Sequence, residues 1–261
     1  MLSSAFLYPL SHYKEVIKWV TEISPEYGNN TEIVAVSVHP PDLDRRCIMA
    51  LFLTFQNSEE EARVALRHAN QTRPDGCMTQ MVNKRTSLAQ EYCDQATASP
   101  QSHRYTAENA YIANDADVPA VLEKAFTEPI NQKSFALYFA MAPCSRRLLP
   151  DMALSMQSDH YFAFYSIWED EENDLKHQKW VQDIMREVEP HSVGAYLGDS
   201  DFQVRQTRFW MDEKAERLMR IRRQWDPDGI ICGYLDAGDK SGVAGLTNEQ
   251  WSSDCNLESA V

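Results

Sequence analysis

Three stretches set tyrosine among small residues at strand spacing: HRYTAENAYIA (103–113), SFALYFAMA (134–142) and HYFAFYSIW (160–168). In an extended chain successive side chains point to opposite faces, so residues two apart share a face. Tyr105, Asn109 and Tyr111 share one side of the first stretch, and Tyr161, Ala163 and Tyr165 one side of the third. In the second, Ser134, Ala136, Tyr138 and Ala140 make a small-plus-tyrosine side, while the bulky Phe135, Leu137, Phe139 and Met141 suit helix packing. If the tyrosine sides line up, they form an apolar hollow with a few hydroxyl donors, the usual make-up of a small-molecule site. Ordinary strand packing explains any one of these tyrosines equally well, because Tyr favours strands.

The chemistry such a hollow could do is orientation of an apolar substrate plus a hydrogen bond to a carbonyl. The candidate catalytic residues are Tyr138, Tyr165, His160 and Glu108. Candidate substrate contacts are Tyr105, Asn109, Tyr111, Ser134, Ala136, Tyr161, Ala163 and Tyr196. His160 and His103 are more often satisfied core or surface histidines than catalysts. Glu108 is either a paired carboxylate facing helices or a general acid/base.

Other chemistry has weaker support. The cysteines, Cys47, Cys77, Cys93, Cys144, Cys232 and Cys255, include no C-x-x-C pair, so a zinc site or redox motif is not indicated. Idle thiols are the expectation, with a Cys–His nucleophile as the lesser alternative. EDEEND (169–174) is an acidic helix start whose spacing does not resemble a calcium loop. The 25 basic and 39 acidic residues leave a net charge of −14, which disfavours nucleic acid and anionic membrane surfaces. No stretch approaches the ~20 apolar residues that span a bilayer. The start, MLSSAFLYPLSHYKEV, lacks a basic n-region, so no signal peptide is read and a cytoplasmic location is expected.

The elements that must position these residues repeat once. FLYPL is a strand, and SHYKEVIKWVTEI a helix with Tyr13, Val16, Ile17 and Val20 on one face. TEIVAVSVH and CIMALFLTFQ form a hairpin through the turn chemistry of PPDLDRR. NSEEEARVALRHAN is a helix with a Ser58–Glu61 capping box and a stripe of Ala62, Ala65, Leu66 and Ala69. After a less regular middle (71–101), with TSLAQEYC as a short helix, the order returns. The tyrosine strands then alternate with VPAVLEKAF and NDLKHQKWVQDIMREVE, and SVGAYLG makes a final strand. A last helix over about 212–225 turns Ala215, Leu218, Ile221 and Trp225 inward. The pattern predicts an α+β fold, an antiparallel sheet with helices packed on one face, as a ferredoxin-like double β-α-β-β-α repeat. Residues 1–236 form the domain, and 237–261 a flexible tail anchored by Trp251.

Three segments occur in order: FLYPLSHYKEVIKWV, the stretch from HYFAFYSIW to SVGAYLG, and ERLMRIRRQWDPDGI. Together they resemble the later part of berberine-bridge-enzyme-like, FAD-linked oxidases of the vanillyl-alcohol-oxidase superfamily, over about residues 5–235. In that family a strand and helix open the substrate domain, and the end carries an Asn-Tyr-x-Arg-Leu segment and a Tyr-Asp-Pro turn. Here Gly194, Tyr196, Arg217, Leu218, Asp226 and Pro227 match, with Trp225 in the aromatic place. The Asn-Tyr pair that lies by the flavin in the family falls on Lys214 and Ala215, and a further Asn on Gly198. The family's flavin domain has no counterpart in this sequence. The resemblance therefore implies a substrate-binding-type domain with no cofactor, inherited from a natural-product oxidase.

Two functions follow as expectations. The first is a flavin-independent cyclase acting on a hydrophobic small molecule, by Diels–Alder-type or related cyclisation. The second is a non-catalytic ligand-binding module or pseudoenzyme partner of a separate flavin oxidase. The sheet face without helices needs cover, and a homodimer or the C-terminal tail is expected to provide it.

Overall fold

Apolar residues of one parity in most strands are buried together, and that shared side is where four of the helices lie. The computed structural model describes residues 1–142, 144–200, 205, 207–228 and 230. The strands are β1 (Leu2–Pro9), β2 (Thr31–Val38), β3 (Cys47–Thr54), β4 (Thr79–Arg85), β5 (Arg104–Ile112), β6 (Phe135–Ala140), β7 (His160–Trp168) and β8 (Ser192–Gly194). The helices are α1 (Tyr13–Ile23), α2 (Glu59–Thr72), α3 (Leu88–Ala98), α4 (Val118–Thr127), α5 (Asp174–Val188) and α6 (Asp212–Trp225). All strands join one eight-stranded sheet in the order β4-β1-β3-β2-β6-β7-β5-β8. Every pairing is antiparallel, and the two halves of the chain meet where β2 pairs with β6.

The α+β class with an antiparallel sheet thus stands, with α1, α2, α4 and α5 on the core face and Ala98 of α3 at a groove on the other. The core between those four helices and the sheet contains Phe6, Phe52, Phe126, Phe162 and Phe164, all at 0% exposure. Burying each such side chain contributes ~1.5–3 kcal/mol. Helix entry follows local chemistry: Ser58 Oγ accepts from the Glu61 amide at 3.2 Å, and Asp117 Oδ1 from the Ala120 amide at 3.1 Å. The inward face of α1 is Tyr13, Val16, Ile17 and Val20, as the helical spacing predicts.

Three expectations are corrected. The irregular middle contains a strand, β4, whose residues are nearly all exposed. It is a sheet edge ending in Lys84 and Arg85, so no apolar alternation marks it. At its bulge Asn83 takes a positive φ of 54°, and its amide donates to Ser4 Oγ.

The faces of β6 are reversed. Ala136 and Tyr138 pair with Phe164 and Phe162 and lie under the helices, while Phe135, Leu137 and Phe139 point to the helix-free side. The reason is register: pairing with β7 puts Ala136 and Tyr138 on the side where Phe162 meets Phe126 of α4, ring to ring at 6.3 Å.

On α6 the buried residues are Ala215 and Met219, packed on Phe209, Trp210 and Ala195, whereas Ile221 is 44% and Trp225 75% exposed. This helix lies against the loop before β7, where the Met211 amide donates to Ser155 Oγ, and not against the main core. The expected tail, with Trp251, lies outside the described residues. Among the described residues no helix is long and apolar enough to cross a membrane.

The α6 packing has a direct check. Met219→Ala should lower hydrogen-exchange protection across α6 by ~2–3 kcal/mol. Trp225→Ala should change it by less than ~0.5 kcal/mol, as an exposed site does.

Candidate functional site

The helix-free side of β5, β6 and β7 is built in three rows. Strand register puts Phe139, Tyr161 and Tyr111 in one row, Leu137, Ala163 and Asn109 in the next, and Phe135, Tyr165 and Ala107 in the third. The aromatic rows flank a middle row whose centre is the small Ala163. Tyr161 lies 5.2 Å from Tyr111 and 6.2 Å from Phe139, ring to ring, and Phe135 stacks on Tyr165 at 4.9 Å. Met156, from the loop before β7, closes one side.

A short turn crosses this surface, and Asn109 holds it. Its Oδ1 accepts from the Tyr196 amide at 2.7 Å, while its Nδ2 donates to the Tyr196 carbonyl at 2.8 Å and to Ser200 Oγ at 3.0 Å. Within the turn, a Cβ on Gly198 would come 2.7 Å from the Tyr196 ring, so the position has no room for a side chain. The turn places Asp199 over the tyrosines. Tyr161 donates to Asp199 Oδ2 at 2.5 Å, and Tyr165 lies near enough to feel the same carboxylate. Burial first, then the Asp199 charge, pushes both hydroxyls above the usual tyrosine range. Burial and the Cys144, Tyr196 and Asp199 groups push Tyr111 up to about 12. Asp199 was not legible as a site residue. It lies in a short Gly-Asp-Ser turn, and only the fold brings it to a strand 38 positions earlier.

From Phe135 a groove of about 950 Å3 continues over β2 and β3. Its floor is Val36, Val38, Met49 and Phe135. Lys133 and His103 stand at one end and Asp42 and Asp44 on the opposite wall. Lys133 Nζ lies 2.7 Å from His103 Nε2, and both contact Glu169. Tyr105, 40% exposed, lies beyond, with its hydroxyl donating to the Pro100 carbonyl.

The structure therefore divides the sequence-derived candidates between two faces. Asn109, Tyr111, Tyr161, Ala163, Tyr165 and Tyr196 come together on the helix-free side, with Tyr105 at its margin. Tyr138, His160, Ser134, Ala136 and Glu108 lie on the helix side and do not join them. Tyr138 is fully buried, and its hydroxyl meets His160 Nδ1 at 2.7 Å. His160 reaches a cleft of about 190 Å3 beside Asp159 and Arg146. Ser134 Oγ accepts from the Ile167 amide at 3.1 Å. Glu108, fully buried, is held by Arg205 Nε at 3.1 Å, and the same guanidinium bonds Glu189 and the Asn109 carbonyl. That arrangement is a paired carboxylate facing helices.

A second polar cluster lies wholly inside. Ser166 Oγ meets His177 Nδ1 at 2.6 Å, and His177 stacks on Trp168 at 4.5 Å. Asp174 is one turn away, but its carboxylate serves Arg104 and Trp168 Nε1 and not the histidine. The cluster fastens α5 to β7. Among the described residues Cys47, Cys77, Cys93 and Cys144 are free thiols.

No family model matches the chain. In sequence it is similar to the FAD-linked oxidoreductases ptmO of Penicillium ochrochloron and penO of Penicillium crustosum, each 32% identical over 234 residues, or 89% of this chain. It spans about half the length of these relatives, 52% of each. Among solved structures, BBE-like 1 of Physcomitrella patens matches with a TM-score of 0.65 at 9% identity, over 93% of this chain and 54% of that one. Aclacinomycin oxidoreductase matches with a TM-score of 0.64 at 12% identity, over 87% of this chain and 53% of that one. These two likenesses concern the fold alone. This chain resembles about half of an FAD-linked oxidoreductase in sequence and of berberine-bridge-enzyme-like proteins in fold.

The flavin-facing pair of that resemblance falls on α6. Ala215 is 6% exposed and packed on Phe209 and Trp210, and Lys214 pairs with Asp151, which also takes Arg217 at 2.7 Å. Neither position offers a free polar side chain, so the pair does not fit a flavin contact.

Two outcomes test the polar framework. Arg205→Ala should cost ~3–5 kcal/mol in urea unfolding, because Glu108 stays buried without its guanidinium. Burial lowers the pKa of His177 and of His160 below the ordinary 6.5. The unfolded chain then takes up protons before the folded one does, so stability is full above 6.5 and falls as pH drops below it. Urea midpoints measured from pH 7.5 to 5 should show that fall, and His177→Gln should flatten it.

Proposed function

We propose that this domain binds a hydrophobic small molecule on its helix-free sheet face and promotes its cyclisation by holding it in a reactive conformation. The observation that carries this reading is the continuous apolar floor, from Val36, Val38 and Met49 through Phe135 to Tyr165, ending at the Asp199 carboxylate. Its groove of about 950 Å3 suits a drug-sized ligand. Orientation alone can supply ~7–11 kcal/mol of a barrier when the reacting atoms are held in contact. The packing of Lys214 and Ala215 into the chain's own contacts supports a cycle without a redox step.

A second reading is a substrate-binding half that works against a separate flavin-bearing partner. It is favoured by the match to half the length of FAD-linked oxidoreductases and by the exposure of Ile221, Trp225 and Ile230. A homodimer would cover the same surfaces.

The readings separate on one preparation. Under the first, the purified protein shows no flavin absorption, and incubation with a polyene substrate gives an isomeric product of unchanged mass. Product formed only with added FAD or a co-purifying flavoprotein would establish the second. A dimer by light scattering, with no flavoprotein present, would assign the cover to a second copy.

A further inference from the structure

We infer that the ligand group seated at Tyr161, Tyr165 and Asp199 is a hydrogen-bond donor, an N–H or O–H on an apolar ring system, and not a carbonyl. The inference rests on the small-molecule reading above and adds the polarity of the ligand. A phenol has one proton and two lone pairs. Tyr161 gives its proton to Asp199 Oδ2 at 2.5 Å, close to Tyr165. What the Tyr161 oxygen then offers outward is lone pairs, and an ionised Asp199 offers only lone pairs as well.

Among the described residues, Asp199 accepts from Tyr161 and forms no ion pair with a lysine or arginine. The cluster that contains Tyr161 also contains Phe139, Leu137, Ala163 and Met156, whose side chains carry no hydrogen-bond donor. The turn that carries Asp199 is fixed by three hydrogen bonds to Asn109, so the carboxylate is preorganised and does not need the ligand to order it. A ketone or ether oxygen placed here would face lone pairs with lone pairs and lose its own hydration without return. An indole N–H, a phenol or an amine would regain what it loses. The two exposed aspartates on the groove wall, Asp42 and Asp44, add the same sign.

The test uses two probes of one shape, 2-naphthol and 2-methoxynaphthalene, titrated into the full chain by calorimetry. The naphthol should bind at least about tenfold more tightly than its methyl ether, as expected for a hydrogen bond to a charged acceptor. Asp199→Asn, which supplies a donor in place of one acceptor, should erase that preference. Tyr165→Phe, at a half-exposed position with little folding cost, should reduce it, with folding checked by circular dichroism. Equal affinity for the two probes, or a preference unchanged in Asp199→Asn, overturns the donor assignment and leaves the small-molecule reading standing. Binding of neither probe sinks both.

Discussion

Everything on the tyrosine side of this sheet depends on what is buried on the other. Phe162 and Phe164 of β7 must lie beneath α4 and α5, where Phe126 and Trp180 meet them. Because strand side chains alternate, that burial sends Tyr161, Ala163 and Tyr165 to the opposite face with no further choice. The same rule, passed through the β6–β7 register, turns Tyr138 inward and Phe135 outward. A slip of one residue would exchange the two sets and destroy both the core and the groove.

On the face so defined, one amide does the organising. Asn109 is fully buried, and both polar atoms of its side chain serve the turn at 196–200. Without that turn the tyrosine rows would be a bare apolar surface. With it, they acquire a carboxylate that accepts from the Tyr161 hydroxyl, in surroundings where electrostatic interactions are stronger than in water. Arg205 supports the same strand from its other side, joining the Asn109 carbonyl to Glu108 and to Glu189 at the end of α5. The clamp and the ion pair meet on adjacent residues of β5, which ties the site to the helix layer.

Legibility followed the strength of local signals. α1, α2 and β7 were plain because their apolar residues repeat at 3.6 or 2 with caps and turns at the ends. β4 was hidden because an edge strand of TQMVNKR has no face to bury. The bulky side of β6 was assigned to the helices because size suggests burial. The fold instead put Ala136 and Tyr138 there, because the β6–β7 register sets them beside Phe164 and Phe162. On α6, Ala215 with Leu218, Ile221 and Trp225 makes an acceptable stripe, but the surface it meets is Phe209 and Trp210 of its own approach, which selects Ala215 and Met219.

By itself, then, the sequence determined which residues alternate, where helices start, and that three strands carry tyrosines beside small residues. It could not say which side of each strand would face the helices, because alternation is symmetric until packing partners are known. Nor could it place Asp199 against Tyr161 and Tyr165, or Arg205 against Glu108, contacts made across 38 and 97 positions. Those pairings exist only because a turn and a strand edge are brought together by a core elsewhere, and no local pattern encodes that distance.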